Sequence, residues 1–295
     1  MPTPTAATAP QMIVRRMAFP HPVALKGQWN PARPEFSHMV NAGSLGMPFL
    51  EPWLIATMRQ AKAQISDPRL LAEIDLYIGQ ESTHFRQHQQ FNRRLADIGY
   101  RSVPEMEAVL KADYAGFAAD RSFAFNLAYA EGFEAMALTI GHMLIADREY
   151  LFADGEASVG SLVLWHFVEE IEHKCATYDV FKALDGRYAW RIYGLLFAMV
   201  HIMGRTRQGY RAMLMEDGLW TSWRSRWALW RLLGRIFVRL TPRLLRILKP
   251  SYDPREVVDP AWADAWRHQH AAGDAQLGDL DMSRLAEAAP VARAA

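Results

Sequence analysis

From about residue 45 onward, apolar positions recur every three to four residues, and this period persists to about residue 248. The pattern predicts helices near 45–66, 68–97, 104–114, 118–150, 157–184, 187–215 and 219–248. Stop and start signals agree with these limits. Asp67-Pro68 ends one helix and opens the next, Gly99 stands just past the end of another, and Asp154-Gly155 and Asp185-Gly186 mark later boundaries. No useful alternating run appears, so little or no sheet is expected. Long helices joined by short turns favour antiparallel neighbours, which is all-α bundle architecture. Upstream, Pro20, Pro22, Pro31 and Pro34 predict an extended arm after a disordered start over residues 1–12. The reading divides the chain into an N-terminal arm (1–36), a bundle (37–215), basic amphipathic helices (216–250) and a loosely ordered tail (251–295).

Composition changes this picture little. The 295 residues are 51% hydrophobic and 22% charged, and the net charge of +1 carries no global nucleic-acid signature. One cysteine, Cys175, cannot form an internal disulfide and reads as a small core residue. The N-terminus has no basic start and no apolar core of a signal peptide. The longest apolar stretch, 192–203, falls short of the roughly 18 residues that a spanning helix needs. The expected location is the cytoplasm.

The candidate chemistry lies in acidic residues and histidines within apolar helices. Glu81-Ser82-Thr83-His84 and Glu170-Ile171-Glu172-His173 are both Glu-x-x-His, each read as mid-helix. Positions i and i+3 share one helix face, so each pair can present a carboxylate and an imidazole together. Glu51 and Glu131 stand on the intervening helices, giving the order Glu, Glu-x-x-His, Glu, Glu-x-x-His. That is the donor set of ferritin-like proteins with a carboxylate-bridged pair of metal ions. Carboxylates at an apolar bundle centre would be costly unpaired, and bound cations remove that cost. A third match, Glu35 to His38, follows Pro34 in the Pro-rich arm and is set aside as a decoy. His166 completes His-x-x-x-Glu-x-x-His on the face of Glu170 and His173.

The predicted metal ligands are therefore Glu51, Glu81, His84, Glu131, His166, Glu170 and His173. Glu81 and Glu170 are expected to bridge, with Glu51 and Glu131 terminal on opposite ions. His84 and His173 would take one ion each, and His166 would join the ion of His173. Glu134 is read as a further ligand or a proton shuttle, and His88 as a supporting residue. Glu169 and Glu172 point to other faces and are read as supporting or solvated. Tyr77, Tyr129 and Trp165 lie near ligands and are read first as packing.

The His166 pattern resembles the p-aminobenzoate N-oxygenase type of diiron enzyme. Over residues 12–220 the chain is similar to the bacterial family catalogued as predicted metal-dependent hydrolases. The similarity rests on Gln80-Glu81-x-x-His84, Glu131-Gly132-Phe133-Glu134 and Glu169-Glu170-Ile171-Glu172-His173-Lys174. The first resemblance implies two iron ions, O₂ chemistry on an apolar small molecule or lipid, and an external electron donor. The second implies hydrolysis by a metal-activated water, with manganese or zinc also admissible. Metal storage is a third, non-enzymatic reading, disfavoured by the additional C-terminal helices.

One segment stands outside this site. No acidic residue occurs between Asp217 and Asp253, a stretch with eight basic residues from Arg224 to Lys249. Trp220, Trp223, Trp227 and Trp230 recur at helical spacing within it. The segment 219–249 reads either as a peripheral contact with the inner face of a membrane or as a helix packing its Trp stripe on the bundle. A homodimer is compatible with the sequence, and no nucleic-acid motif accompanies the charge.

Overall fold

The computed structural model describes residues 12–270 and 277–278, and it is an all-α helical bundle. The helices are α1 (Pro34–Ser44), α2 (Met47–Lys62), α3 (Pro68–Ile98), α4 (Ser102–Asp120), α5 (Phe123–Ala146) and α6 (Arg148–Phe152). They continue with α7 (Ala157–Glu172), α8 (Ala176–Leu184), α9 (Tyr188–Glu216), α10 (Trp223–Ile247) and α11 (Ala261–Gln269). Among the described residues, β structure is one short parallel pairing of β1 (Met17–Ala18) with β2 (Leu277–Gly278). Helices α2, α3, α7 and α5 form a closed square, in which α2 meets α3 and α5, and α7 meets α3 and α5. Helix α9 covers α5 and α1, and α10 lies on α5 and α1.

Local signals explain most boundaries. The Asp67 side chain caps α3 by accepting from Arg69 N, with Pro68 in the first turn. Gly99 ends the same helix at φ 100°, a conformation costly for a residue with a Cβ. Ser122 caps α5 through its hydroxyl, breaking the chain where one helix over 118–150 was expected. Gly132 and Gly194 set the approach of α5 and α9. A Cβ at either would collide with backbone of the other helix.

The structure corrects four further expectations. Helix α1 begins inside the supposed extended arm, because Pro34 occupies the first helical turn, where its missing N–H costs nothing. The predicted helix over 157–184 breaks at His173–Cys175, so the second Glu-x-x-His closes α7 rather than lying mid-helix. The tail is ordered to residue 270. A 3₁₀ turn at Pro254–Glu256 and α11 bury Tyr252, Ala263 and Trp266, and Lys174 pairs with Asp259 at 2.6 Å. The described part of the N-terminal arm is also packed on the bundle, with Met12, Arg15, Met17 and Phe19 buried. Of the disorder expected over residues 1–12, Met12 is instead buried, and residues 1–11, like the tail beyond 270 apart from 277–278, lie outside the described residues. No described helix is long and apolar enough to cross a membrane.

Candidate metal centre

Each wall of the four-helix square contributes acidic or imidazole groups to one buried cluster. Helix α2 supplies Glu51, α3 supplies Glu81, His84 and His88, α5 supplies Glu134, and α7 with its cap supplies His166, Glu170 and His173. All are buried. Donor atoms converge within 4.8 Å in four overlapping groups: Glu51 with His88 and His166; His84 with His166 and Glu170; Glu51 with Glu81 and His84; and Glu81 with Glu134 and His173.

The groups define two poles that share carboxylates. Glu170 Oε1 meets His166 Nε2 at 2.8 Å, and Glu170 Oε2 meets His173 Nε2 at 3.1 Å. Glu81 Oε1 lies 3.7 Å from His84 Nδ1 and 3.5 Å from His173 Nε2. Glu51 faces His166 at 3.8 Å on one side, and Glu134 faces His173 at 3.1 Å on the other. His166 therefore stands with Glu51 and His84, its ring stacked 4.3 Å from that of His84. The expectation that it joins the His173 side is corrected. His166 sits seven residues before His173, about two helical turns away along α7, nearer the opposite pole.

Glu131 joins none of the four groups. Its carboxylate is buried without a hydrogen-bond partner, and burial pushes its pKa up to about 8, against the opposing influence of Arg191. Glu134, one helical turn further along α5, takes the place expected of it. Nearly every residue of α5 is buried, so the helix has no solvent side to fix which acid faces the centre. The discarded pair Glu35 and His38 is helical and buried but joins none of the four groups, with His38 Nε2 held by Asp217 at 2.7 Å.

A layer of polar residues sets each imidazole. His84 Nε2 is paired with Glu169 at 3.0 Å, leaving Nδ1 without a partner and facing the carboxylates. His173 Nδ1 meets Gln80 Oε1 at 3.1 Å, so its Nε2 faces them instead. His166 Nδ1 meets His88 Nε2 at 2.6 Å, His88 Nδ1 meets Ser44 Oγ at 2.8 Å, and that hydroxyl donates to Asn92 Oδ1 at 2.7 Å. Such contacts fix ring orientation and tautomer. Tyr77 donates to Glu134 Oε1 at 2.7 Å.

Behind this layer lies a residue with no local sequence signal. The guanidinium of Arg15, 1% exposed, donates to Glu169 at 3.0 Å and to Glu172 at 2.6 and 2.9 Å. Glu172 in turn accepts from Gln80 at 2.7 Å. Glu169 and Glu172 are thus buried and paired rather than solvated.

The donor set fits metal ions. Both oxygens of Glu51, both of Glu81, and Nδ1 of His84 are buried with no hydrogen-bond partner. Burial and the nearby carboxylates of Glu81, Glu170 and Glu134 hold Glu51 well above the usual carboxylate range. Burial and Glu170 push Glu134 up to about 8. Burial disfavours charge on His84, yet its hydrogen bond to Glu169 and the nearby carboxylate of Glu81 raise it to about 9. In the metal-free protein, then, protons offset the cluster's negative charge. Divalent cations would displace them, as metal binding to such donors requires.

A helical bundle enclosing a buried carboxylate and imidazole cluster defines a class of proteins built to hold metal. Within it, the chain belongs to the family described as predicted metal-dependent hydrolase, which matches residues 13–257. No curated protein and no solved structure matches the chain.

Proposed function

We propose that this protein is a hydrolase working through two divalent metal ions held by Glu51, Glu81, His84, Glu134, His166, Glu170 and His173. The observation that carries the proposal is the convergence of four buried carboxylates and three imidazoles, several of whose atoms have no protein partner. Four carboxylates carry the charge that two divalent ions neutralise. Family membership supports hydrolysis as the reaction class. Bound ions of this kind supply a nucleophile by lowering the pKa of water. The protein's own residues do the rest. Glu81 and Glu170 reach both poles, Tyr77 holds one oxygen of Glu134, and Gln80, Glu169 and His88 aim the three imidazoles inward. Iron, manganese and zinc all suit a mixed oxygen and nitrogen donor set.

A second reading, O₂-dependent oxidation of an apolar substrate with an external electron donor, is favoured by one observation. The paired Glu-x-x-His motifs sit in a centre whose donor residues are 0–5% exposed, which suits exclusion of water from reactive chemistry. One experiment separates the two. Metal content is measured on the purified chain, and a panel of ester, amide and phosphoester substrates is then assayed with and without O₂. The hydrolase reading expects about two ions per chain and turnover indifferent to O₂. Activity that requires O₂ and a reductant would transfer the assignment to the second reading. Absence of bound metal would remove both.

A further inference from the structure

We propose that α10 is a docking surface for anionic lipid bilayers, an inference independent of the reaction at the metal centre. The helix has two apolar stripes on opposite sides. Ser225, Leu229, Leu232 and Ile247 face the bundle and are buried. The other stripe faces solvent: Trp223 is 73% exposed, Trp227 62%, Trp230 64%, Phe237 69%, Val238 70% and Leu245 58%. Of the two readings of the Trp stripe, packing on the bundle holds for Trp220, which lies partly buried against the cluster of Tyr210, Leu214 and Leu229; for Trp223, Trp227 and Trp230 the buried leucines of α10 take that role. The spacing from 223 through 227, 230, 237, 238 and 245 keeps these side chains on one side of the helix.

Basic residues border the stripe. Arg224, Arg226 and Arg231 make no ion pair among the described residues, whereas Arg235 and Arg239 share the carboxylate of Asp147. The sequence holds no acid between Asp217 and Asp253 to offset them. Helix α9 meets α10 near its two ends, by Tyr188 O–H donating to the Leu248 carbonyl and by Tyr210 and Leu214 clustering with Leu229. Helix α9 carries exposed apolar side chains of its own, Tyr193, Leu196, Val200 and Met203.

Large exposed apolar side chains with interleaved arginines suit the boundary between lipid headgroups and acyl chains, where tryptophan is favoured. A second copy of the chain fits less well. A symmetric contact would set the same unpaired arginines against each other with no acidic residue on the face.

The test uses the full chain with vesicles of phosphatidylcholine alone or containing about 30% phosphatidylglycerol, scored by flotation at low and high salt. The expected result is flotation with the anionic vesicles at low salt, weakened at least about tenfold by high salt, by Trp223→Ser/Trp227→Ser/Trp230→Ser, and by Arg224→Gln/Arg226→Gln/Arg231→Gln. Far-ultraviolet circular dichroism and Tm should match the parent in both triple variants, since the altered side chains are exposed. Flotation absent at low salt, or unchanged in the tryptophan variant, would overturn the proposal. So would a dimer in sedimentation that the tryptophan variant converts to monomer, because the occupant would then be a second copy.

Discussion

The two Glu-x-x-His motifs have the same spacing but different structural solutions. In α3 the motif lies mid-helix, and His84 turns Nδ1 to the centre while Glu169 holds Nε2. At the end of α7, His173 turns Nε2 to the centre while Gln80 holds Nδ1. One ring is oriented by a carboxyl group and the other by an amide. Spacing decides which face a donor occupies, and a residue outside the motif decides which nitrogen it offers. Both orienting residues lead back to Arg15, directly through Glu169 and by way of Glu172 from Gln80.

The strongest way to break the comparison is therefore at Arg15, which serves both motifs. Arg15→Met should destabilise the protein by about 3–5 kcal/mol, as removal of one partner from a buried charge cluster does. Chemical denaturation at pH 7 measures this, and a change within error would remove Arg15 from the account. Changes to one motif at a time should be smaller and separable. Gln80→Leu should weaken ion binding at the His173 pole about 10–100-fold and leave the His84 pole intact, and Glu169→Gln should do the reverse. Titration with a spectroscopically active divalent ion would show one weakened phase in each variant. Equal weakening of both phases by either change would mean that the two poles are not independently oriented.

The next contrast is between acids on the same helix. The Glu131 carboxyl titrates near 8 in the folded, metal-free chain, above its ordinary 4.5. The folded state therefore holds a proton that the unfolded state has released, and this contribution to stability is lost as pH rises from about 4.5 to about 8. Glu131→Gln should gain at least about 1 kcal/mol at pH 8 relative to its effect at pH 5, read from paired denaturation curves. Metal content should be unchanged, in contrast to Glu134→Gln. The smallest effect belongs to the third Glu-x-x-His. Glu35→Gln should leave metal content at the parent value, and loss of an ion would reinstate the pair that was set aside.

Much of this was legible in the sequence because it depends on local periodicity. The four bundle helices and the convergence of Glu51, Glu81, His84, His166, Glu170 and His173 follow from helical spacing within apolar surroundings. The choice between Glu131 and Glu134 was not legible, since α5 is apolar on every side and its pattern has no phase. Arg15 was invisible for a different reason: its partners lie 154 and 157 residues away. The break at His173 lacks glycine or proline and coincides with Lys174 reaching Asp259, another distant contact. In α10 both sides are apolar, so periodicity found the helix but left its rotation open.

Arg15 also ties together stretches of chain made at very different times. Its Nε donates to the His270 carbonyl at 3.4 Å and its guanidinium lies over Trp266, while its other bonds go to α7. During synthesis the N-terminal strand emerges first and must wait for residues 266–270 before this clasp is complete. Contacts of such sequence separation close late. The expected consequence is a window in which the bundle exists and its centre can still accept ions, followed by a state in which they exchange slowly. A chain ending at residue 258 should both load and release metal faster than the parent in stopped-flow chelator exchange, and equal rates would show that the clasp has no part in timing.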